Sequence, residues 1–297
     1  IRYWEIWNEP DNDCMWSGTP EEYYQLYRIT AVYLKQCFPS IQIGGFASCG
    51  YYAITRKPKN PRNDSFLTFF EDFLKYISKP ETAAPLDFFS WHLYTDDPEE
   101  ISVHAAYADA KLKEYGFTHT ESIFDEWNRC NGAPDLFDEM KTMLGASFVA
   151  SALCKMQYLP IDKAMYYDAF PARRYCGLYT FPGFKVTKTY YAFQAFNELY
   201  RLKTAVQATS EIKNLSVAAA TGCDGAAVLI SSYGCSENQI SLALQNLPNG
   251  AKSAEIILLN EKNDLALVKT ETLSGNTANL TFTMEPYLVV LIKIKCQ

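Results

Sequence analysis

The sequence predicts an α/β domain built on parallel strands, followed by an all-β region. From Ile1 to about Arg201, short apolar runs alternate five times with helix-like segments. Beyond Arg201 the helical period disappears, and short apolar runs alternate with Gly, Asn and Asp turns. Repeated strand–helix–strand connections imply a parallel sheet, because a parallel neighbour is reached only by a crossover. Short runs punctuated by turns imply a β-sandwich.

The strand candidates are Arg2–Trp7, Ile41–Phe46, Asp87–Tyr94, Ser122–Trp127 and Ala164–Phe170. They are short, apolar and aromatic, as strands buried on both faces are. Thr19-Pro20-Glu21-Glu22 reads as a capping box with proline at the first helical position, followed by the stripe Tyr27, Ala31, Leu34, Phe38. Ser65 opens a second helix carrying Phe66, Phe69, Phe70, Phe73 and Ile77. Asp97-Pro98-Glu99-Glu100 opens a third, and Gly116 stops it. Asp135–Tyr158 is a fourth, long and Met-rich, and Val186–Tyr200 a fifth. In the all-β region the runs Ala226–Ser231, Ile240–Leu244, Ala254–Leu259 and Leu288–Ile294 read as strands. The boundary falls near Lys203, giving domains 1–202 and 203–297. "GGFASCG", Gly44 to Gly50, lacks the spacing of a dinucleotide fingerprint and reads as a tight strand-to-helix turn. Arg173 and Arg174 read as residues of a solvated loop.

A net charge of −7 argues against nucleic acid, whose phosphates require a basic surface. No apolar run approaches the roughly 18 residues of a membrane span. The nine cysteines are odd in number, scattered, and without C-x-x-C or zinc spacing. They predict reduced thiols and a cytoplasmic location.

Chemistry collects at the C-terminal ends of parallel strands. "WEIWNEPD" puts Glu9 at one such end, and "FDEWN" puts Glu126 at another. "SWHLYT" places His92 and Tyr94 two residues apart, hence on one face of a strand. Two glutamates at strand ends are what glycoside hydrolysis by double displacement needs. One protonates the leaving oxygen and the other attacks the anomeric carbon, the two carboxyl groups standing about 5–5.5 Å apart, against roughly 6.5–9.5 Å in an inverting enzyme. The acid needs a raised pKa and the nucleophile an ordinary or lowered one. A donor such as Tyr94 beside Glu126 would keep that carboxylate charged. Asn8 is placed to hold a sugar hydroxyl. Trp127, Trp16 and Tyr167 are sugar platforms or packing residues, and Asp168 binds a hydroxyl or serves the structure.

"WEIWNEPD", "IQIGGFA", "SWHLYT" and "FDEWN" resemble the strand ends of clan A glycoside hydrolases, most closely family thirty-nine, which includes β-xylosidases and α-L-iduronidases. The resemblance covers about the first 200 residues, and the β region resembles the accessory sandwich of such enzymes. It implies a (β/α)8 TIM barrel of which this chain supplies strands four to eight, plus the C-terminal all-β sandwich. It implies Glu9 as acid/base on strand four and Glu126 as nucleophile on strand seven. Asn8 would bind the 2-hydroxyl, and His92 and Tyr94, on strand six, would position nucleophile and sugar. No metal or organic cofactor is implied. The implied partners are a glycoside or oligosaccharide substrate and the absent N-terminal barrel segment, as a separate chain or fragment, with no nucleic acid and no membrane. The expected activity is that of a β-xylosidase-like exo-glycosidase. The alternatives are a non-catalytic carbohydrate-binding or assembly module, or an inactive fragment.

Overall fold

The computed structural model describes residues 1–57, 59–130, 136–223 and 225–296. They form two compact units. The first comprises Ile1–Thr95, Glu99–Asn128 and Leu159–Tyr167; the second Asp96–Pro98, Arg129–Tyr158 and Asp168–Gln297.

The first unit is built on a five-stranded sheet in sequential order: β1 (Tyr3–Glu5), β2 (Gln42–Ser48), β3 (Phe88–Thr95), β4 (Glu121–Arg129) and β5 (Lys163–Tyr166). The pairs β1/β2, β2/β3 and β4/β5 run parallel. Helices α1 (Pro20–Cys37), α2 (Tyr52–Thr55), α3 (Pro61–Ser78) and α4 (Glu99–Glu114) lie between strands in the chain. The capping box forms as read: the Thr19 side chain accepts from Glu22 N while the Glu22 carboxylate accepts from Thr19 N. The buried face of α1 is Tyr23, Tyr24, Tyr27 and Ala31 rather than a stripe running to Phe38, which is exposed in the last turn. The α3 stripe of Phe66, Phe69, Phe70, Phe73 and Ile77 is buried as expected. Its helix begins at Pro61 and not at Ser65, because Asn60 accepts from Arg62 N and proline fits the first turn. The glycine-rich segment is also corrected: Gly44 to Ser48 are strand residues of β2, and only Cys49 to Tyr51 turn towards α2. Gly44 is there because a Cβ would stand 2.1 Å from the Phe88 carbonyl oxygen.

The second unit contains α5 (Leu136–Glu139), α6 (Met143–Met156) and α7 (Lys188–Leu202). The single long helix expected from Asp135 to Tyr158 is two. Asp135 lies outside the described residues, and Thr142 caps a fresh start by accepting from Leu144 N. Thr187 caps α7 in the same manner.

A six-stranded antiparallel sheet has the order β11 (Asp264–Thr272), β10 (Ser253–Leu259), β13 (Tyr287–Lys295), β8 (Gly225–Tyr233), β7 (Leu215–Gly222), β6 (Thr204–Val206). A separate ladder joins β9 (Gln239–Gln245) to β12 (Thr277–Thr283). Strand period decides the packing. Val228 and Ile230 on β8 join Ile240, Leu280 and Phe282 of the small ladder in one apolar cluster. The intervening Leu229 and Ser231 meet α6: Cys154 Sγ approaches Leu229 O, and Ser231 Oγ donates to Ser147 O at 2.8 Å. A sheet covered on both faces explains the continuous apolar runs of β8 and β13. Strands β6, β7, β11 and β12 were not anticipated; β11 and β12 are largely exposed, and β12 carries polar residues at alternate positions.

Cys14, Cys37, Cys49, Cys154, Cys176, Cys223, Cys235 and Cys296 are free thiols, and among the described residues no helix is long and apolar enough to cross a membrane.

Candidate active site

The site lies at the C-terminal ends of the parallel strands of the first unit. Strand β3 presents Ser90, His92 and Tyr94 on one face, while Trp91 stacks on Phe124 at 4.1 Å on the other. Ser90 Oγ accepts from Ala47 N at 2.8 Å, tying β2 to β3 where their register slips between Gly45 and Ser48. A similar irregularity in β4 lies between Phe124 and Trp127. It breaks the strict alternation of side chains, so the adjacent Asp125 and Glu126 both face His92.

Glu9 follows β1 in a left-handed conformation, φ 50°, as does Trp7 at φ 73°. Its backbone N–H reaches the carbonyls of Phe46 and Ala47 at 3.2 and 3.1 Å. Its carboxylate is held from both sides: His92 Nδ1 is 2.9 Å from Oε1, and Asn12 Nδ2 donates to Oε2 at 3.1 Å. Arg62 donates to the Asn12 carbonyl oxygen at 2.9 Å and so orients that amide with its NH2 towards Glu9. Tyr94 Oη donates to Glu126 Oε2 at 2.6 Å. His92 Nδ1 is 3.7 Å from Glu126 Oε2, and Nε2 is 3.6 Å from Asp125 Oδ1. Each of Glu9, His92 and Glu126 offers a donor atom within 4.8 Å of the others, a spacing suited to a cation.

The electrostatic order of the two glutamates is opposite to that expected from sequence. Burial works against ionised Glu9, but hydrogen bonds from His92 and Asn12 and the imidazolium charge outweigh it, and its pKa is lowered. Burial raises Glu126; His92 and Tyr94 pull it down, but Glu9 and Asp125 add to burial and the net direction is up. For His92, burial disfavours the imidazolium, and the Asp125 and Glu9 carboxylates on its two nitrogens overcome it, lifting its pKa to about 10. The cause of the reversal is geometric: the buried histidine leans towards Glu9 and not towards Glu126.

Glu9, Glu126, His92 and Tyr94 are thus brought together, and Asn8 stands exposed beside Glu9. Trp127 is corrected from the sugar-platform reading to packing. A platform needs an exposed face, and Trp127 is 1 % exposed, between Phe124 and Tyr166. Asp168 belongs to the second unit, where Oδ1 accepts from Phe170 N at 3.1 Å. Sequence reasoning passed over three residues in or next to the very motifs it singled out. Asn12 follows the first motif by one residue and holds Glu9. Asp125 precedes Glu126 and faces His92. Asp11 is buried and bonded to Ser48 and Cys49, with burial pushing its pKa up to about 7 against those bonds.

A family model described as glycosyl hydrolases family 39 matches residues 2–152, just over half of the chain. The chain belongs to glycosyl hydrolase family 39. Two curated relatives, both named beta-xylosidase, come from Caldicellulosiruptor saccharolyticus and Geobacillus stearothermophilus. Each is 25 % identical, over 224 and 236 residues respectively. The matches take in 67 % of this family 39 chain and 42 % of either relative, so the chain spans less than half of their length. Among solved structures, a glucosidase from Croceicoccus marinus superposes with a TM-score of 0.78 at 22 % identity, covering 98 % of this chain and 68 % of that one. A monomeric beta-xylosidase from Caulobacter crescentus CB15 gives 0.72 at 16 % identity, covering 98 % and 69 %. These likenesses show a glycosidase fold, with a partial barrel-like parallel sheet and antiparallel sheets.

Proposed function

We propose that the complete enzyme is a retaining, exo-acting glycoside hydrolase of the β-xylosidase type, with Glu126 as nucleophile and Glu9 as acid/base. One observation carries the reading. An oxygen of Glu9 lies within 4.8 Å of an oxygen of Glu126, close to the roughly 5–5.5 Å of double displacement and well short of the ~6.5–9.5 Å that leaves room for an inverting water. The names of the curated relatives support a neutral β-xyloside as substrate. Asn8 is offered as the residue that takes the 2-hydroxyl.

In the first step Glu126 attacks the anomeric carbon, and the leaving oxygen takes a proton from Glu9. Resting Glu9 is held in its ionised form by His92, so the proton resides on the imidazole 2.9 Å away, and the Glu9–His92 pair acts as the acid. Once Glu126 is esterified its negative charge is gone. Glu9 loses a repelling neighbour and serves as base towards the incoming water, returning the proton to His92. Tyr94 holds the Glu126 oxygen that it hydrogen-bonds and leaves the other to attack.

Strands β1–β5 are read as strands four to eight of a (β/α)8 barrel that further βα units complete, with 1–202 as barrel and 203–297 as accessory sandwich. The two edge strands support this: β1 exposes Trp4 at 48 % and β5 exposes Met165 at 45 %, an apolar exposure that added strands would cover. The test is Glu126→Ala in the complete enzyme. Turnover is expected to vanish and an added small nucleophile such as azide to restore it, giving a product of inverted configuration. Undiminished turnover would rule the assignment out.

A further inference from the structure

We propose that Asp11 is a positioning residue for Glu9: its buried carboxyl staples the turn carrying Glu9 to the end of β2. The inference rests on Glu9 being the acid/base of the reaction proposed above.

Glu9 and Asp11 flank Pro10 in the turn after β1. Asp11 is buried, and one of its oxygens, Oδ2, accepts both from Ser48 Oγ at 2.9 Å and from Cys49 N at 3.0 Å. Ser48 is fixed in turn, since Gly50 N donates to its hydroxyl at 3.4 Å. Just before this segment, the carbonyls of Phe46 and Ala47 accept the N–H of Glu9. Two residues with side chains, Glu9 at φ 50° and Ala47 at φ 55°, therefore face each other in left-handed conformations that each would leave if free to do so. Such backbone persists only where its surroundings over-determine it. Pro10 removes one torsion from the turn, and the Asp11 staple removes most of the remaining freedom. The direction in which Glu9 leaves the backbone is thereby set, and with it the reach of the carboxylate to His92 and to a leaving oxygen. None of these bonds runs to Glu126 or His92, so the staple acts on the turn that carries Glu9.

A loosened acid is felt in proportion to how much protonation the leaving group needs. The experiment compares kcat/KM, which reports the first chemical step, on a phenyl glycoside and on a dinitrophenyl glycoside whose leaving group departs without help. For Asp11→Ala the expected loss is about 30-fold on the former and under about threefold on the latter, within the range general acid catalysis supplies. Asp11→Asn keeps one oxygen facing Ser48 and Cys49 and is expected to stay within about threefold of the parent on both. Equal losses on the two substrates, or no loss, would overturn the proposal, since a general weakening of the fold has no preference between leaving groups. Glu9→Ala is measured alongside. If it shows no preference, the acid/base reading of Glu9 itself falls. If it shows one and Asp11→Ala does not, only the role of Asp11 falls. Should Asp11→Ala not fold, Ser48→Ala leaves the carboxyl in place and removes one of its two donors. It must show the same preference in weaker form, and its absence counts against the staple.

Discussion

His92 and Glu9 form a buried contact in which imidazole Nδ1 stands 2.9 Å from Oε1, nearer than it stands to Glu126 at 3.7 Å. The histidine carries a further carboxylate, Asp125, on its opposite nitrogen. One cation is therefore shared among three acids, and of the two strand-end glutamates it lies nearer to Glu9.

Removing that cation has a signed consequence. The imidazolium lowers the pKa of both Glu9 and Glu126. His92→Gln keeps a polar side chain without the charge, so both carboxyls rise. The acidic limb of kcat/KM, set by Glu126, is expected to move to higher pH, and the basic limb, set in the parent by the proton that His92 shares with Glu9, to move to lower pH, because Glu9 alone must then hold it. A profile that stays in place, or moves on one limb only, would contradict the shared-cation arrangement.

Tyr94 acts on Glu126. Its hydroxyl donates to Glu126 Oε2 at 2.6 Å and lowers that pKa. In Tyr94→Phe the acidic limb of kcat/KM should move upward while the basic limb stays. The lost bond to a charged acceptor, worth about 1.5–3 kcal/mol, should cost roughly 10- to 100-fold in turnover. Movement of the basic limb instead would place Tyr94 on the wrong partner.

Gly44 tests the sheet that supports the site. A Cβ there would sit 2.1 Å from Phe88 O and 2.6 Å from Phe88 Cγ, and the first of these is backbone of the paired strand. Gly44→Ala must therefore part β2 from β3. A loss on the order of 3 kcal/mol or more is expected, seen as a lowered denaturation midpoint. A loss under about 0.5 kcal/mol, the size of an ordinary surface change, would mean that the strands are not paired as described.

What could be read from sequence was what obeys a period or a cap. The α1 box, the phenylalanine face of α3 and the shared face of His92 and Tyr94 follow from spacings of three to four or of two, and all are present. Glu9 and Glu126 were legible because each follows an apolar, strand-like run in the sequence. What escaped breaks the period. The irregularity between Phe124 and Trp127 turns Asp125 towards His92, where alternation would have turned it away. The left-handed Glu9 sends its carboxylate to a histidine expected to serve Glu126. The pKa order followed that displacement, because 0.8 Å between 2.9 and 3.7 Å separates a hydrogen bond from a bare charge interaction. Strands β11 and β12 escaped for another reason: their outer face is solvated, so their composition reads as loop.

Stability should carry the mark of His92 as well. Its folded pKa stands at about 10 against an ordinary 6.5. A group raised in this way binds more protons folded than unfolded between those values. Its contribution is therefore complete below about pH 6.5 and is lost as pH climbs through 10. For so buried a histidine the contribution is on the order of a few kcal/mol. The carboxyls of Glu5 and Asp11, lifted to about 8 and about 7 chiefly by burial, lose stability with the same sign in an overlapping window. The parent alone thus cannot isolate the histidine, but a difference can. The denaturation midpoint of the parent should fall between pH 7 and 10, and that of His92→Gln, measured in parallel, should fall less steeply. At pH 10 the two should differ least, because the parent has by then lost half of its imidazolium. Parallel slopes would mean that His92 titrates with its ordinary pKa, and that Glu9 and Asp125 do not hold its proton.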